Sequence, residues 1–481
     1  MEPELRPGTQ SFQMSIPVLS VAAMRDWEER SWSEGIDPWD VIAQVGKKLA
    51  ARYLSSSQAG DSLLLLAGPG HNGDDVRAMV PWLFQRRVEL LSVNGKPEDL
   101  IRLETHLAQG PDAVIEGLFG IGLNRPLEGV WASIVEVLNR FSGPVISVDV
   151  PSGLASTGDG IIGPVVQARE TWTIGALKET LLKTHAGAVT GRLVLLKDVG
   201  LSALEPRLSE LHAYDPHDVV GFPPPRPAHA HKGSQGWVGI LGGGAGYHGA
   251  AVLAARGAAS AQPGLIRLWV PPSVYDPVAS RLEHVMVESW AGEDSLPGKL
   301  TCLVAGPGMA SKEWTQETFD TLADAWLNRP IAMVVDASAL DRLPTGKTVG
   351  APRVITPHPG EAARMLSCTV AEVEADRLQA LRALSDRYGG SLVVLKGHHT
   401  LVGQAQGRVT VHLSGNPYLA QGGAGDVLAG WLGGLLAQPA LQTDALRTLC
   451  YGVWRHGAAA DTLEQEVSGW TPDRLPSRLA G

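Results

Sequence analysis

The sequence predicts an α/β protein built from two domains. Short, continuous apolar runs alternate with helical stretches in both halves, as parallel sheets buried on both faces require. Glycine loops follow some of these runs and lead into helices, the usual place for ligands in such sheets. Between the halves, the stretch from Tyr214 to Ala230 carries Pro216, Pro223, Pro224, Pro225 and Pro227. Prolines at that density neither continue a helix nor pair in a central strand. The stretch is expected to run as polyproline II between two folded units. It divides the 481 residues into 1–220 and 221–481, each long enough for one α/β domain with its own core.

The elements follow in order. The chain opens on the acidic Met1-Glu2-Pro3-Glu4, and the apolar stretch from Ile16 to Met24 is short and broken by serine. Neither has the form of a secretory signal. Ser62 to Ala67 reads as a strand buried on both faces, followed by a glycine loop and a helix from about Val76. Val88 to Val93 and Pro144 to Val150 are further strands of the first half. In the second half, Trp237 to Leu241 is a strand and Gly249 to Ala261 an alanine-rich helix. Leu265 to Val270, Leu300 to Ala305, Ile331 to Asp336 and Leu392 to Lys396 complete the strands.

Composition narrows the function classes. The chain is 44% hydrophobic and 19% charged, which is ordinary for a globular protein. Its net charge is −10, with no basic block to neutralise phosphates, so nucleic acid is not an expected partner. No run approaches the ~20 apolar residues of a membrane span, so no membrane is expected either. Cys302, Cys368 and Cys450 lie too far apart for a disulfide framework or a zinc site. A reducing, cytoplasmic setting is the expectation.

Gly68-Pro69-Gly70-His71-Asn72-Gly73 matches a dinucleotide fingerprint, but the next strand ends without the acid that would hold a ribose. Gly244-Ala245-Gly246-Tyr247-His248-Gly249 matches too and lacks the acid as well. Both read equally as tight turns or as ligand loops. Gly346-Lys347-Thr348 resembles the end of a P-loop, but Asp341 stands where a glycine is required.

The loop from Gly415-Asn416-Pro417 to Gly422-Gly423-Ala424-Gly425-Asp426 says more, because an apolar helix begins at once. Glycines before a helix leave backbone N–H groups free at the positive end of its dipole, ready for phosphate. Asp426 in the same turn suits a general base toward an attacking hydroxyl. A helix cap would also use an aspartate, but four glycine or alanine residues exceed what a cap needs. Lys396 to Thr400 ends a strand with a cation, a glycine turn and a hydroxyl, which suits a nucleotide. His358, between Pro357 and Pro359, suits a ligand contact, and equally a satisfied core histidine.

These residues resemble a known family. The second half resembles the ADP- or ATP-dependent NAD(P)H-hydrate dehydratases. The match runs through His231-Lys232-Gly233, Tyr247 to Ala251, Gly306-Pro307-Gly308, Asp336 with Ala339-Leu340, Thr356 to Glu361, Lys396-Gly397 with Thr400, and Gly415 to Asp426. The first half resembles the NAD(P)H-hydrate epimerase domain through Gly68 to Asp75, Leu118-Phe119-Gly120 with Gly122, Val148 to Gly153, and Gly175 to Lys178. The resemblance implies a Rossmann-like first domain and a ribokinase-like second domain, in the order of fused bifunctional repair enzymes.

It also implies a reaction and its sites. The epimerase would interconvert the R and S hydrates of NADH and NADPH at C6. The dehydratase would phosphorylate the S hydroxyl from ADP (or ATP, with Mg2+ accompanying the nucleotide) and eliminate phosphate. The family pattern puts the nucleotide at Lys396, Gly397, His398, His399, Thr400 and Gly425. It puts the hydrate at Ala250, Gly308, His358 and the base Asp426. In the first half it puts the hydrate against His71, Asn72, Gly73, Asp74 and Asp75, against Gly120, Ile121, Gly122, Leu123, Asn124, Arg125 and Pro126, and against Asp149. Asp149 is the expected acid–base residue. Potassium would sit among Asn72, Glu116 and Ser152, hard oxygen donors suited to it. A homo-oligomer is expected.

Several positions depart from the family's usual residues. Glu116 stands for an aspartate, Ile121 for a threonine, Val76 for a glycine, and Ala424 for a small hydroxyl residue. Val76 is expected to restrict the backbone at the helix start. Asp74 is expected to repel phosphate unless a cation offsets it. A ribokinase-type small-molecule kinase with a non-catalytic first domain shares the glycine–aspartate loop. The paired domains and the Thr356 to Glu361 motif favour repair.

Overall fold

The computed structural model describes residues 16–155, 163–205, 209–291 and 296–480. The acidic opening, Met1 to Glu4, lies outside the described residues. Ile16–Glu210 form one compact unit, and the other begins at Leu211, not at 221. The reason is a short strand just ahead of the first proline: Leu211–Ala213 pairs in parallel with Val409–Val411 of the second unit. Nor is the proline-rich stretch polyproline II throughout. Pro216–Val219 form a 3-10 turn capped by Asp215, and Tyr214 and Val219 are buried in the second unit's core.

The first unit is a six-stranded sheet in the order Arg87–Ser92, Ser62–Ala67, Ala113–Gly117, Val145–Val148, Glu170–Ile174, Arg192–Leu196. Every pairing in it is parallel. Ser62–Ala67 shows why. Leu63 and Leu65 join a core with Val45, Leu49 and Tyr53, while Leu64 and Leu66 join another with Leu103, Ile134 and Leu138. A strand apolar on both sides needs helices on both sides. Chain direction across the sheet reverses between Ser62–Ala67 and Ala113–Gly117. The loops after these two strands, Gly68 to Asp75 and Leu118 to Pro126, therefore flank a topological switch point.

The second unit's sheet runs Leu211–Ala213, Val409–Val411, Leu401–Gly403, Leu392–Leu395, Arg353–Ile355, Ala332–Val335, Cys302–Ala305, Trp237–Leu241, Leu265–Val270, Met286–Ser289. From Leu392–Leu395 to Met286–Ser289 it is parallel. The expectation of parallel sheets fails at Leu401–Gly403, which is antiparallel to both neighbours. Only a short turn joins it to Leu392–Leu395, and a parallel return needs a longer crossover. The switch point lies between Trp237–Leu241 and Cys302–Ala305, followed by Gly242 to Gly249 and by Gly306 to Gly308.

Two helices, His248–Ser260 and Ala424–Leu436, pack side by side against this sheet. Glycine lets them touch: a Cβ on Gly430 would stand 1.9 Å from the Ala254 carbonyl oxygen. Leu253 meets Gly423, Gly257 meets Val427, and Ala261 meets Gly434. Those pairs ascend together, so the helices run parallel and open their N-termini at the same end.

Candidate functional site

In the second unit the phosphate-ready loop is formed as a helix N-terminus. Gly423 caps Ala424–Leu436 at φ 105°, and no side chain caps it. Asp426 sits in the first turn and is not the N-cap. Its carboxylate makes no hydrogen bond among the described residues. Burial, with the Asp336 charge and against Lys396, pushes it up to about 7. A carboxyl so placed has the two properties of a general base, a free oxygen and a pKa near neutral.

Three strand ends converge on that turn. Lys396 Nζ lies 2.6 Å from Asp336 Oδ1 and 3.8 Å from Glu361 Oε2. Thr356 Oγ1 donates to Asp336 Oδ1 at 2.7 Å. Burial opposes the Lys396 charge, but Asp336, Glu361 and Asp426 outweigh it and raise the lysine above its ordinary value. A Cβ on Gly425 would stand 3.5 Å from Lys396 Nζ. Lys396, Gly425 and Asp426, separated by thirty residues of sequence, thus share one corner.

His358 takes a definite structural job. It caps helix Pro359–Leu366, its Nδ1 accepting from Gly360 N at 3.0 Å, while its own N–H donates to Glu361 Oε2 at 2.8 Å. The ring is half exposed and leaves Nε2 outward, 3.5 Å from Glu361 Oε1. Ala250 lies in the first turn of its helix. Gly308, at φ 75°, packs against Gly243 and the Tyr247 carbonyl, and Gly243 N donates to Pro307 O at 2.7 Å. Both residues therefore flank the switch point.

The turn from Lys396 to Thr400 is held by Arg377, which no local motif had singled out. Its guanidinium donates to the carbonyls of Leu395, Lys396 and His399, each at 3.2 Å, and to that of His398. A Cβ on Gly397 would meet the same guanidinium at 2.8 Å. The rings of His398 and His399 lie 3.8 Å apart. Burial, then His398 and Arg377, hold His399 down to about 3, so it stays neutral. Asp461 likewise anchors the preceding loop, accepting from Gly415 N at 3.0 Å and from Asn416 Nδ2 at 3.3 Å.

In the first unit, the helix after the glycine loop begins at His71 and not near Val76. One expectation falls with it, and the condition set on another is met. Val76 lies inside the helix, fully buried against Gly117, and restricts nothing at its start. Asp74 is offset by Arg77, whose Nη1 lies 3.0 Å away. Asn72 Nδ2 donates to Phe119 O at 2.9 Å and to Val148 O at 3.0 Å, tying the helix to two strand ends.

Asp149 lies beside them, at φ 68°. Its Oδ1 is paired with the fully buried Lys178 and accepts from Ile174 N at 3.2 Å. Its Oδ2 faces Gly120, where a Cβ would be 3.7 Å away and the Asn72 Cβ 3.5 Å away. Asp75 is 9% exposed, and its carboxyl makes no hydrogen bond among the described residues. Burial, followed by Asp149, Asp74 and Glu28, raises it well above the carboxylate range. Along the second loop, Leu123 is buried, while Gly122, Asn124, Arg125 and Pro126 are exposed. Ile121 turns instead into an apolar cluster with Leu19, Met24, Trp27 and Ala176.

Glu116 is fully buried and takes four hydrogen bonds, all from neutral groups: Leu118 N, Ser147 Oγ, Ser152 N and Ser152 Oγ, at 2.6–3.1 Å. Burial raises its pKa. Asn72 Oδ1 is buried close by in the fold and has no hydrogen-bond partner among the described residues.

Fold and sites define a two-part α/β enzyme with a phosphate-ready helix in one part and an acid cluster in the other. The profile of the NAD(P)H-hydrate dehydratases matches residues 238–479, and that of the YjeF-related protein N-terminus matches 84–180. The bifunctional NAD(P)H-hydrate repair enzyme Nnr of Gloeobacter violaceus is 34% identical over 93% of this chain and 93% of its own. That of Vibrio cholerae is 36% identical over 74% and 72%, and that of Escherichia coli 36% over 89% and 86%. Among solved structures, an ADP/ATP-dependent NAD(P)H-hydrate dehydratase from Bacillus subtilis aligns with 53% of this chain and 91% of its own, at 28% identity and TM-score 0.48. The chain belongs to the family of bifunctional NAD(P)H-hydrate repair enzymes.

Proposed function

We propose that the chain returns hydrated NADH and NADPH to use, epimerising the R and S hydrates in its first unit and dehydrating the S form in its second. The observation that carries the second activity is Asp426, an unbonded carboxyl near pKa 7 in the first turn of a helix whose free N–H groups suit a phosphate. ADP is the co-substrate we assign. Its β-phosphoryl group rests against the amides of Gly423 to Gly425, with Lys396 to Thr400 along the nucleotide. Asp426 takes the proton of the hydrate's hydroxyl as its oxygen attacks phosphorus, and AMP leaves. Hydroxide is a poor leaving group and phosphate a good one. The ring nitrogen then pushes phosphate out to leave an iminium, and loss of a proton from C5 restores the dihydropyridine, so the substrate supplies much of its own chemistry.

Magnesium reaches such sites through phosphates and one or two carboxylates. Asp336 and Glu361 are the carboxylates that fit here, and no cluster of three protein ligands forms among the described residues. Potassium fits the first unit: Asn72 Oδ1 has no other partner among the described residues, and Glu116 is a buried carboxyl held by neutral donors, with Ser152 beside it. A cation there would neutralise Glu116 and stiffen the strand ends that carry Asn72 and Ser152. The free thiols of Cys302, Cys368 and Cys450 support a cytoplasmic setting, and no helix among the described residues is long and apolar enough to cross a membrane.

The test supplies S- and R-hydrates with ADP or ATP, with and without potassium, and follows the return of dihydropyridine absorbance. Recovery from the S form with release of AMP and phosphate is expected, as is consumption of the R form faster than its spontaneous epimerisation. Failure to regenerate absorbance from the S form with either nucleotide would remove the dehydratase reading.

A further inference from the structure

Epimerisation at a hydroxyl-bearing carbon needs a group that gives a proton and a group that takes one. Asp149 is already charge-paired with Lys178 and so suits the taking. A further carboxyl, Glu28, lies on the helix Val21–Ser33. Met24, Trp27, Glu28 and Ser31 fall on one face of that helix, by their spacing of three and four. The face is docked firmly. A Cβ on Gly175 would touch the Trp27 ring at 3.1 Å, and Trp27 Nε1 donates to Ser202 O at 3.0 Å. Just ahead of the helix, Leu19 is bonded on both sides of Lys178, its N–H to Leu177 O at 2.8 Å and its carbonyl to Glu179 N at 3.0 Å. Ile121, from the loop expected to hold the hydrate, packs into the same cluster of Leu19, Met24 and Trp27. Glu28 lies on that docked face, next to Trp27 and one turn from Met24.

We propose that Glu28 is the second proton-transfer residue of the epimerase centre, acting as acid while Asp149 acts as base. The inference rests on the epimerase reading of the first unit. Glu28 is half-buried, and its side chain makes no hydrogen bond or ion pair among the described residues. The charges it feels are those of the centre itself: Asp149 and Lys178, with Arg25 and Glu29 on its own helix. Asp75 shares the same surroundings. Burial, then Asp149, pushes Glu28 up to about 7, so near neutral pH it exchanges a proton readily, held in part and released in part. Asp75 is the more deeply buried acid and is held well above its usual range, which suits it to donate a standing hydrogen bond.

The step balances. The Glu28 acid gives its proton to the C6 hydroxyl. The C6–O bond breaks, water leaves with the bond's electron pair, and the ring nitrogen lone pair closes a C=N bond. Water then adds to the other face, the C=N pair returns to nitrogen, and the surplus proton passes to Asp149. One water leaves and one enters; Glu28 loses a proton and Asp149 gains one. In the reverse direction the two carboxyls exchange roles.

The experiment uses the full chain and follows R-hydrate consumption with ADP present, so that dehydration of the S form reports epimerisation. Glu28→Gln should slow R-hydrate consumption by about 100-fold or more, with KM little changed. It should also abolish the fall in rate as pH rises through about 7. Dehydration of S-hydrate by the same preparation should be unchanged. If Glu28→Gln also melts early, Glu28→Asp decides: retention of the high-pH fall with a partly restored rate supports the proposal, and equal slowness of both variants overturns it. A Glu28→Gln chain with wild-type rate and pH profile also overturns it. If the wild-type chain does not consume R-hydrate faster than spontaneous epimerisation, both the proposal and the epimerase reading fall.

Discussion

Asp426 shows how much one residue's surroundings decide. In a solvated first turn an aspartate titrates near 4 and serves the helix dipole. Here burial and Asp336 carry it to about 7. Dehydration should therefore rise with pH through about 7 and level off above, as Asp426 loses its proton. Asp426→Asn should remove dehydration while leaving nucleotide binding largely intact; full turnover in that variant would end the assigned role. The sign for stability runs the other way. A carboxyl whose pKa is raised on folding favours the folded state below its unfolded value, and that advantage is lost as pH rises through about 7. The asparagine variant should thus melt no earlier than wild type at pH 8. Thermal melts at pH 5 and pH 8 would measure this.

Single residues also mark what sequence can reveal. The glycines before Asp426 are legible because free amides at a helix start are a local property. The corner formed by Asp336, Thr356, Lys396 and Asp426 depends on which strands lie side by side, and no spacing encodes that. Val76 was misjudged for a local reason as well: the helix begins five residues earlier, so a β-branched residue sits in its interior and not at its entry.

At the scale of elements, Arg377 is the clearest case. It opens helix Arg377–Arg387 and reaches back to the carbonyls of a turn some twenty residues later in the chain. A turn that must face a nucleotide gains from such a brace, since its own hydrogen bonds within a strand have ended. Charged hydrogen bonds of this kind contribute about 1.5–3 kcal/mol each, with part of that lost to solvent on exposure. Arg377→Ala should raise KM for the nucleotide about tenfold, the equivalent of ~1.4 kcal/mol, and change kcat little. Arg377→Lys should fall between, because one ammonium cannot span the same carbonyls. A variant with unchanged KM would show that the turn holds its shape unaided. Elements were also where the reading of the fold was best and worst. Trp237–Leu241 and Leu265–Val270 stand where their apolar runs put them. Leu401–Gly403 and Leu211–Ala213 are three residues each, too short for any periodicity to show.

At the scale of the whole molecule, each unit has its own core and its own acidic site. Residues 16–210 bury two apolar layers around their six strands, and Asp149, Lys178, Asp75 and Glu28 all belong to them. Asp336, Lys396 and Asp426 all belong to the other unit. Damage to one site should therefore leave the other's chemistry intact. Asp149→Ala tests this because it removes the partner of a fully buried ammonium: among the described residues Lys178 keeps only Thr173 Oγ1 and the Ile174 carbonyl. Leaving such a charge unpaired costs about 3–5 kcal/mol, so the first unit should melt earlier. With S-hydrate and ADP the variant should still regenerate dihydropyridine at the wild-type rate. With R-hydrate it should proceed only as fast as spontaneous epimerisation supplies the S form. A mixture of the two hydrates then gives a fast phase followed by a slow one, where the wild-type chain gives a single fast course. If Asp149→Ala slows S-hydrate conversion as well, the two halves depend on one another for more than their substrate. If it leaves R-hydrate conversion unchanged, the proton of the C6 oxygen is taken by another group.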